Sequence, residues 1–381
     1  MSEEKLVPKL RFSGFTDEWK KSNLGNISSN EMYGMNSAAK DYDGFNKYIR
    51  ITDISETSNK FIPNPLTSPD GDLEDKYKLK KGDIVFARTG ASTGKTYLYD
   101  DNDRNLYFAG FLIKFHIDNA NPKFIFYNTL KEEYLNWVSI MSVRSGQPGI
   151  NSNEYKKLPI ILPSLDEQNK ISNFLTSIDK KIDLLERKHQ FYQEFKKYLM
   201  QQIFTQKLRF DFKDEWKQYK LKDLLSVKSS SISINQLEDN TGTYPLYGAS
   251  GFLKNIDFCE METDYISIVK DGSGVGNLSY HEKNSSIVNT SQYLLPKKNF
   301  DIHFLYYLLQ TLNLLKYVNG SSIPHIYFKD YCIEKVNVPS LPEQQQIGKL
   351  LVDADKTLEN INNCINITQE FKKGLLQQMF V

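Results

Sequence analysis

The chain has 381 residues, of which 40% are hydrophobic and 25% are charged, and its net charge is +1 at pH 7. This length suffices for two domains with separate cores, whereas the near-neutral charge argues against a nonspecific nucleic-acid binder and less strongly against a specific one. The three cysteines lack metal-ligand or disulfide spacing and no apolar stretch is long enough to span a membrane, so we expect a reduced, soluble, cytoplasmic protein.

The first predicted domain covers residues 1–161 and mixes short strands with short helices. It opens with KLRFSGFTDEWK at 9–20, and a β-branched strand followed by a small-residue loop comes at 82–95 (GDIVFARTGASTGK). The sequence FIFYNTL at 124–130 predicts a short buried helix. A loop and a final strand follow at 145–160 (SGQPGINSNEYKKLPI).

The loop from Gly90 to Lys95 resembles a phosphate-binding loop but does not match one. Only three residues separate Gly90 from Gly94, where the phosphate-binding motif requires four. The YLYDDNDRN that follows is a poor helix, so no helix N-terminus faces a phosphate. Two interpretations remain open: a turn between strands, or a nucleic-acid contact in which small residues permit close backbone approach.

A long helix is predicted within residues 162–205. Apolar residues recur in alternating steps of four and three, which is the spacing of a coiled-coil seam. Ser164 precedes Glu167 by three residues, as in a capping box in which each side chain binds the other's backbone N–H. The seam positions of this helix are Ile171, Leu175, Ile178, Ile182 and Leu185.

The second half of the chain repeats the first. Residues 206–337 form a second predicted domain, and residues 338–381 form a second helix that again starts with a serine and a glutamate, Ser340 and Glu343. The two helical segments align without a gap, and 18 of the 43 aligned pairs are identical. The corresponding seam residues are Ile347, Leu351, Leu358 and Ile361.

The predicted fold class is therefore α+β. Two similar mixed α/β domains are separated by two long, antiparallel, coiled-coil-like helices, and the internal duplication gives a pseudo-twofold arrangement. An isolated helix of this length would expose its apolar stripe to water, so we expect the two helices to pair with each other. Lys196 and Lys372 occupy seam positions where an apolar residue is expected.

The repeated segments resemble the specificity subunits of type I restriction-modification systems. The resemblance rests on two P-S-L-x-E-Q-x-x-I helices, each closing with QEFKK-x-L-x-QQ-x-F, and on two K-L-R-F…E-W-K openings. It implies two target recognition domains, each reading one half of a bipartite double-stranded DNA site. It also implies that the helices set the spacing and dock two modification (methyltransferase) subunits, joined by two restriction (endonuclease and translocase) subunits.

The resemblance implies a non-catalytic chain without a cofactor or metal of its own. S-adenosylmethionine, ATP and magnesium are expected in the partner subunits. The recognition domains vary within this family, so we chose candidate DNA-contacting residues from the small-residue loops and the loops before each last strand. These candidates are Arg88, Thr89, Ser92, Lys95, Arg144 and Gln147 in the first domain, and Lys270, Ser273, Asn277, Ser322, His325 and Tyr327 in the second.

Two other classes of function were weighed. The chain could be a scaffold whose helices assemble a complex and whose domains bind protein or carbohydrate, which the near-neutral charge and high tyrosine content permit. An intrinsic nuclease or methyltransferase would need a catalytic motif. Neither an Asp-Pro-Pro-Tyr-like tetrapeptide nor a metal-binding acid on a strand ahead of the two E-W-K segments is found in the sequence.

Overall fold

The computed structural model describes residues 5–237 and 242–381. By its internal contacts the chain divides into two compact units. Unit 1 comprises residues up to 184 together with 365–381, and unit 2 comprises residues 185–364. Each unit therefore contains one predicted recognition domain with parts of both long helical segments.

Unit 1 begins with short strands and ends in a long helix. Its strands are β1 (Lys20–Asn23), β2 (Ser28–Tyr33), β3 (Ala39–Asp41), β4 (Lys47–Ile49), β5 (Thr67–Pro69), β6 (Asp83–Ala87), β7 (Thr96–Leu98), β8 (Leu106–Phe108), β9 (Leu112–Ile117) and β10 (Pro159–Leu162). Its helices are α1 (Leu24–Ile27), α2 (Pro122–Asn128), α3 (Glu132–Met141), α4 (Ser152–Tyr155) and α5 (Leu165–Phe204), the last of which continues into unit 2.

The core of unit 1 forms around an antiparallel sheet in the order β2-β9-β6-β7. All five residues of β6 are buried, as expected for a short apolar strand covered on both faces. Phe86 of β6 packs edge-on against Phe115 of β9, and α2 buries Phe124 and Ile125 in the same core. The predicted buried helix near residues 124–130 is thus confirmed by α2.

Unit 2 repeats this plan with different residues. Its strands are β11 (Lys217–Lys220), β12 (Leu225–Ser229), β13 (Tyr244–Gly248), β14 (Gly251–Ile256), β15 (Tyr265–Val269), β16 (Leu278–His281), β17 (Ser286–Ile287), β18 (Ser291–Pro296) and β19 (Lys335–Val338). Its helices are α6 (Leu221–Leu224), α7 (Ile302–Gln310), α8 (Phe328–Tyr331) and α9 (Leu341–Gln378), which continues into unit 1. The main sheet has the order β12-β18-β15-β16, and the buried β15 corresponds to β6.

Each long helix starts with a buried glutamate that binds an arginine. In unit 1, Arg11 donates from Nε and Nη2 to Glu167, both at 2.8 Å. In unit 2, Arg209 donates to Glu343 in the same way, at 3.1 and 2.8 Å. Glu167 N donates to Ser164 Oγ at 3.4 Å, which is one of the two hydrogen bonds of the predicted capping box. The carboxylates of Glu167 and Glu343 bind arginine and not the backbone N–H that the prediction gave them, because a two-pronged charged hydrogen bond from arginine is stronger than one from a backbone N–H.

Segments of both long helices pack together within each unit. In unit 1, Ile171, Leu175, Ile178 and Ile182 lie in one core cluster with Leu375, Leu376, Met379 and Phe380. In unit 2, Leu199 and Ile203 share a cluster with Ile347 and Leu351. The start of each helix therefore packs with the end of the other, which confirms the predicted antiparallel pairing.

The two lysines on the seam are held by ion pairs. In unit 1, Lys372 lies 2.6 Å from Asp179, and the same carboxylate accepts a hydrogen bond from the Tyr127 hydroxyl at 2.7 Å. In unit 2, Lys196 lies 2.5 Å from Asp355, which accepts from Tyr307 at 2.6 Å. These Tyr-Asp-Lys clusters explain why a cation replaces an apolar residue at the seam.

Candidate nucleic-acid interface

In unit 1 the two predicted contact loops lie side by side. The loop after β6 and the loop before β10 are joined by a bridge between Thr89 and Gly149. Gly90 N donates to the Pro148 carbonyl and Ile150 N donates to the Arg88 carbonyl, each at 3.0 Å. The structure therefore brings together two sets of candidates that are at least 49 residues apart in the chain and forms one surface from them.

Unit 2 builds the same surface from different side chains. Gly272 N donates to the Pro324 carbonyl and Ile326 N donates to the Lys270 carbonyl, each at 2.9 Å. These bonds correspond one for one to those in unit 1. The backbone of the two surfaces is thus alike while the exposed side chains differ.

The glycines of the first loop serve the fold of unit 1. Gly94 has a φ of +92°, and a Cβ there would lie 2.5 Å from a methyl carbon of Val138 in α3. Gly90 has a φ of +76°, which favours glycine in the same way. The glycine at position 94 therefore allows α3 to pack against the loop. From the sequence alone, the small residues of this loop are explained only by close approach to a ligand.

Arg88 is the candidate with the most available hydrogen-bonding capacity. Its Nε donates to the Gly110 carbonyl at 3.0 Å. Its guanidinium carbon lies 5.0 Å from the centre of the Tyr33 ring and 5.9 Å from that of Phe111. Thr89 and Ser92 beside it are half-buried, and Gln147 on the neighbouring loop is exposed.

The other two basic candidates of unit 1 are engaged within the domain. The Lys95 side chain is 9% exposed and its ammonium binds the carboxylate of Glu56 and the carbonyl of Ile54. Arg144 donates from Nη2 to both carboxylate oxygens of Glu154 at 2.6 Å. Each cation would have to break its ion pair with a carboxylate before it could bind a phosphate.

In unit 2 the candidates are polar and mostly exposed. Lys270 lies 3.4 Å from the carboxylate of its neighbour Asp271. The ring of His325 is 5.1 Å from that of Tyr327, and the Lys329 ammonium lies over the Tyr327 ring, 5.4 Å from its centre. The remaining candidates of this unit, all exposed, are Ser273, Asn277 and Ser322.

Sequence reasoning did not identify Tyr33 and Phe111. Both side chains are exposed beside Arg88, and Phe111 is 59% exposed. They lie in the chain 55 and 23 residues from Arg88, on β2 and in the turn before β9. Sequence patterns predict that an aromatic residue next to a strand is buried in the core, so no sequence signal marks these two rings as exposed.

The predicted helix residues form the internal seam. Ile171, Leu175, Ile178 and Ile182 are buried in unit 1, and Ile347, Leu351 and Ile361 are buried in unit 2, while Leu185 and Leu358 are half-buried. The seven buried side chains pack within their own units. The large apolar side chains exposed on the two long helices are others: Leu165, Leu184, Phe191, Phe195 and Tyr198 on α5, and Ile367 and Phe371 on α9.

In residues 5–237 and 242–381 no group of three or more histidine, cysteine, aspartate or glutamate side chains is placed to hold a metal ion. None of the helices in these ranges combines the length and apolar character needed to cross a membrane.

Comparison with known proteins returns one family. The model of the type I restriction modification DNA specificity domain matches twice, at residues 16–190 and 213–369. The MjaVIII specificity subunit of a type I restriction enzyme from Methanocaldococcus jannaschii is 29% identical over 44% of this chain and 42% of its own length. The HindI specificity subunit from Haemophilus influenzae is 28% identical over 44% of this chain and 36% of its own.

The chain thus spans less than half the length of these two curated relatives. A solved structure of a type I restriction-modification S subunit from M. genitalium has the same fold over the full length. It aligns with a TM-score of 0.66 at 19% identity and covers 98% of this chain and 99% of that one.

Proposed function

Because the chain belongs to the family of type I restriction modification DNA specificity domains, we propose that it binds double-stranded DNA at a bipartite target. Each unit reads one half of the target through its pair of joined loops. The observation that carries this proposal is the repeated loop pairing, with equivalent backbone hydrogen bonds at Gly90 and Gly272. Since the exposed side chains differ between the units, the two half-sites differ in sequence.

The long helices set the gap between the half-sites in this proposal. A helix of 40 residues such as α5 extends about 60 Å at about 1.5 Å per residue. Uninterrupted helices resist bending more than a loop linker does, so the number of base pairs between the halves is fixed. Dimeric DNA-binding proteins achieve the same by symmetry.

The helices also dock the two modification subunits. Phe191, Phe195 and Tyr198 follow one another in steps of four and three, so they lie on one face of α5 and are exposed there. Exposed aromatic side chains of this kind are enriched at protein interfaces. The methyltransferase with its S-adenosylmethionine belongs to these partners, and so do the two restriction subunits with ATP and magnesium.

In the assembled complex this chain positions the methyltransferase subunits relative to the target bases. A methyltransferase reaches a base in duplex DNA by extruding it from the stack. Two units bound to two half-sites place one partner pocket next to each half. The complex therefore methylates adenine within each half of the target, and the chain itself contributes binding and register.

The competing proposal is a scaffold whose units bind protein or carbohydrate. Salt dependence of DNA binding by the full-length chain distinguishes the two. Binding to phosphates releases counterions, so the logarithm of the association constant falls linearly with that of the salt concentration, with a slope of about −0.9 per phosphate contact. A slope near zero, or no DNA binding at all, supports the scaffold.

A further inference from the structure

A cleft of about 410 Å³ opens next to the paired loops of unit 1. Tyr33, Arg88 and Phe111 line it, together with residues 34–37 and 109–110. Tyr33 is fixed by a hydrogen bond from Ser152 N to its hydroxyl at 3.2 Å. The cleft therefore holds a cation within 6 Å of two aromatic rings, of which Tyr33 is held by a hydrogen bond.

The planar guanidinium of Arg88, a fork of parallel N–H donors, has only part of its hydrogen-bonding capacity occupied in this cleft. Its Nε is bound to Gly110, which fixes the orientation of the guanidinium plane. In the described part of the chain neither terminal amino group has a hydrogen-bond partner, and no carboxylate pairs with the guanidinium. A half-buried cation with free parallel donors suits a ligand that presents two acceptors side by side.

Unit 2 has no such fork at the equivalent place. The backbone N–H of Arg88 donates to the Phe111 carbonyl at 3.0 Å, and that of Lys270 donates to the Thr290 carbonyl at 2.9 Å. Lysine and threonine thus stand where unit 1 has arginine and phenylalanine, and Lys270 is already paired with Asp271. A cleft of similar volume in unit 2 is lined by Val227, Gln292, Tyr327, Phe328 and Lys329, so the feature specific to unit 1 is the arginine between the cleft and the loops.

We propose that Arg88 reads a guanine in the half-site bound by unit 1 and that Tyr33 and Phe111 are positioning residues for its guanidinium. Guanine O6 and N7 are a coplanar pair of acceptors in the major groove, and arginine binds them with two hydrogen bonds. A phosphate also accepts two hydrogen bonds. The exposed ring of Phe111 favours guanine, because an apolar ring beside the guanidinium gains more from contact with base edges in the groove, such as a thymine methyl, than from a hydrated phosphate.

This inference rests on the proposed function, and one experiment separates the two. The full-length chain and its Arg88→Lys variant each select binding sites from a library of random-sequence duplex DNA, and their affinities for the selected site and its single-base variants are then measured. Lysine keeps the charge and loses the planar fork. We expect Arg88→Lys to lose about ten- to a hundredfold of the discrimination at a single G·C pair in one half-site, with the salt slope unchanged.

Three other outcomes count against the inference. A uniform loss of affinity for all sequences, with a shallower salt slope, identifies a phosphate contact and overturns the guanine assignment. Unchanged discrimination at every G·C pair overturns it as well. If the unaltered chain selects no sequence, the proposed function itself has failed, and the inference falls with it.

The positioning role has its own variant. Phe111→Ala removes an exposed ring without opening the core, so the chain stays folded, and we expect relaxed discrimination at the same G·C pair as in Arg88→Lys. Phe111→Tyr restores it because the ring is retained. Phe252→Ala, which removes an exposed ring of unit 2, serves as the matched control and leaves that pair unchanged. Full discrimination in Phe111→Ala contradicts the positioning role.

Discussion

Arg11 and Arg209 give a physical reason for the repetition of two distant sequence motifs. Each arginine belongs to a K-L-R-F segment and binds the buried glutamate of a P-S-L-x-E-Q segment, and each also donates to a backbone carbonyl, Asp17 or Asp214. The bond to Glu167 raises the pKa of Arg11. The motifs therefore attach each long helix to the segment that opens its own domain.

We predict that Glu167→Gln destabilises unit 1. The Glu167 side chain is 1% exposed, and removing its charge leaves the Arg11 guanidinium partly buried without a counter-ion, at a cost of about 3 kcal/mol. Urea unfolding followed by tryptophan fluorescence measures the difference. Glu132→Gln, at an exposed glutamate of α3, is the control. A change in Glu167→Gln no larger than in this control contradicts the anchoring role.

His281 predicts a pH dependence of the stability of unit 2. Burial lowers its pKa from 6.5 to about 4, and the neutral ring stacks on Tyr265 and lies 2.9 Å from Ser267 Oγ through Nε2. Below pH 6.5 the unfolded chain binds a proton that the folded chain does not bind until about pH 4. The stability is therefore fully present above pH 6.5 and is lost as the pH falls towards 4.

From these values we expect a loss of about 2 kcal/mol between pH 7 and pH 5. Pulse proteolysis in urea, with fragments of unit 2 followed, measures the loss at both values of pH. His281→Gln removes the titrating group and flattens the dependence, whereas the half-buried His325→Gln retains it. An equally steep dependence in His281→Gln would show that another group titrates.

Individual side chains of the interface were less predictable than their positions. The two loops were identified from glycine, proline and small residues, because these set local backbone geometry. Whether a cation is left without an ion pair depends on carboxylates elsewhere in the unit: Lys95 forms an ion pair with Glu56, and Arg144 forms one with Glu154. Such pairings follow from the tertiary fold, so no local pattern could distinguish Arg88 from Lys95.

At the scale of elements, the long helices were the most predictable part of the fold. Sustained heptad spacing over about forty residues fixes both the type and the pairing of a helix. The short strands of unit 1 from β3 to β5 were not predicted. They contain only three residues each, too few for an alternating pattern to differ from a loop.

The lysines on the seam are also understood at this scale. A charge in an apolar seam costs stability unless it is paired, and Lys196 and Lys372 each find an aspartate of the other long helix. Tyr127 and Tyr307 add a hydrogen bond from the globular part of their unit. Each cluster thus ties two helices and one domain together, and in a coiled coil such polar contacts specify register.

We predict that the double substitution Phe195→Ala, Phe371→Ala weakens docking of the modification subunit. Both rings are exposed and alanine preserves the helix, so the change removes contact area only. Loss of one large aromatic anchor weakens an interface by about 2 kcal/mol or more, about thirtyfold. Co-purification of the full-length chain with its modification subunit is the measurement.

Leu135→Ala is the matched control for this experiment, because Leu135 is equally exposed but lies on α3. We expect it to leave the complex intact. Recovery of the complex with the double variant at the level of the control would place the docking surface elsewhere on the chain.

On the scale of the whole molecule, duplication with divergence is the main feature. The Arg-Glu anchors, the Tyr-Asp-Lys clusters and the loop pairings occur once per unit, whereas the exposed loop residues differ. The shared contacts preserve the scaffold. Under the proposed function the unlike loops correspond to two different half-sites, as a split, asymmetric DNA target requires.

The most direct test is to co-express the chain with its modification subunit in a host free of DNA methylation and to map N6-methyladenine across the genome. The account predicts methylation at one split motif, with two unlike half-sites and a fixed gap. Replacing residues 1–161 with those of a relative then changes one half only. A soluble complex that adds no methylation, or methylates an unsplit motif, would contradict the account.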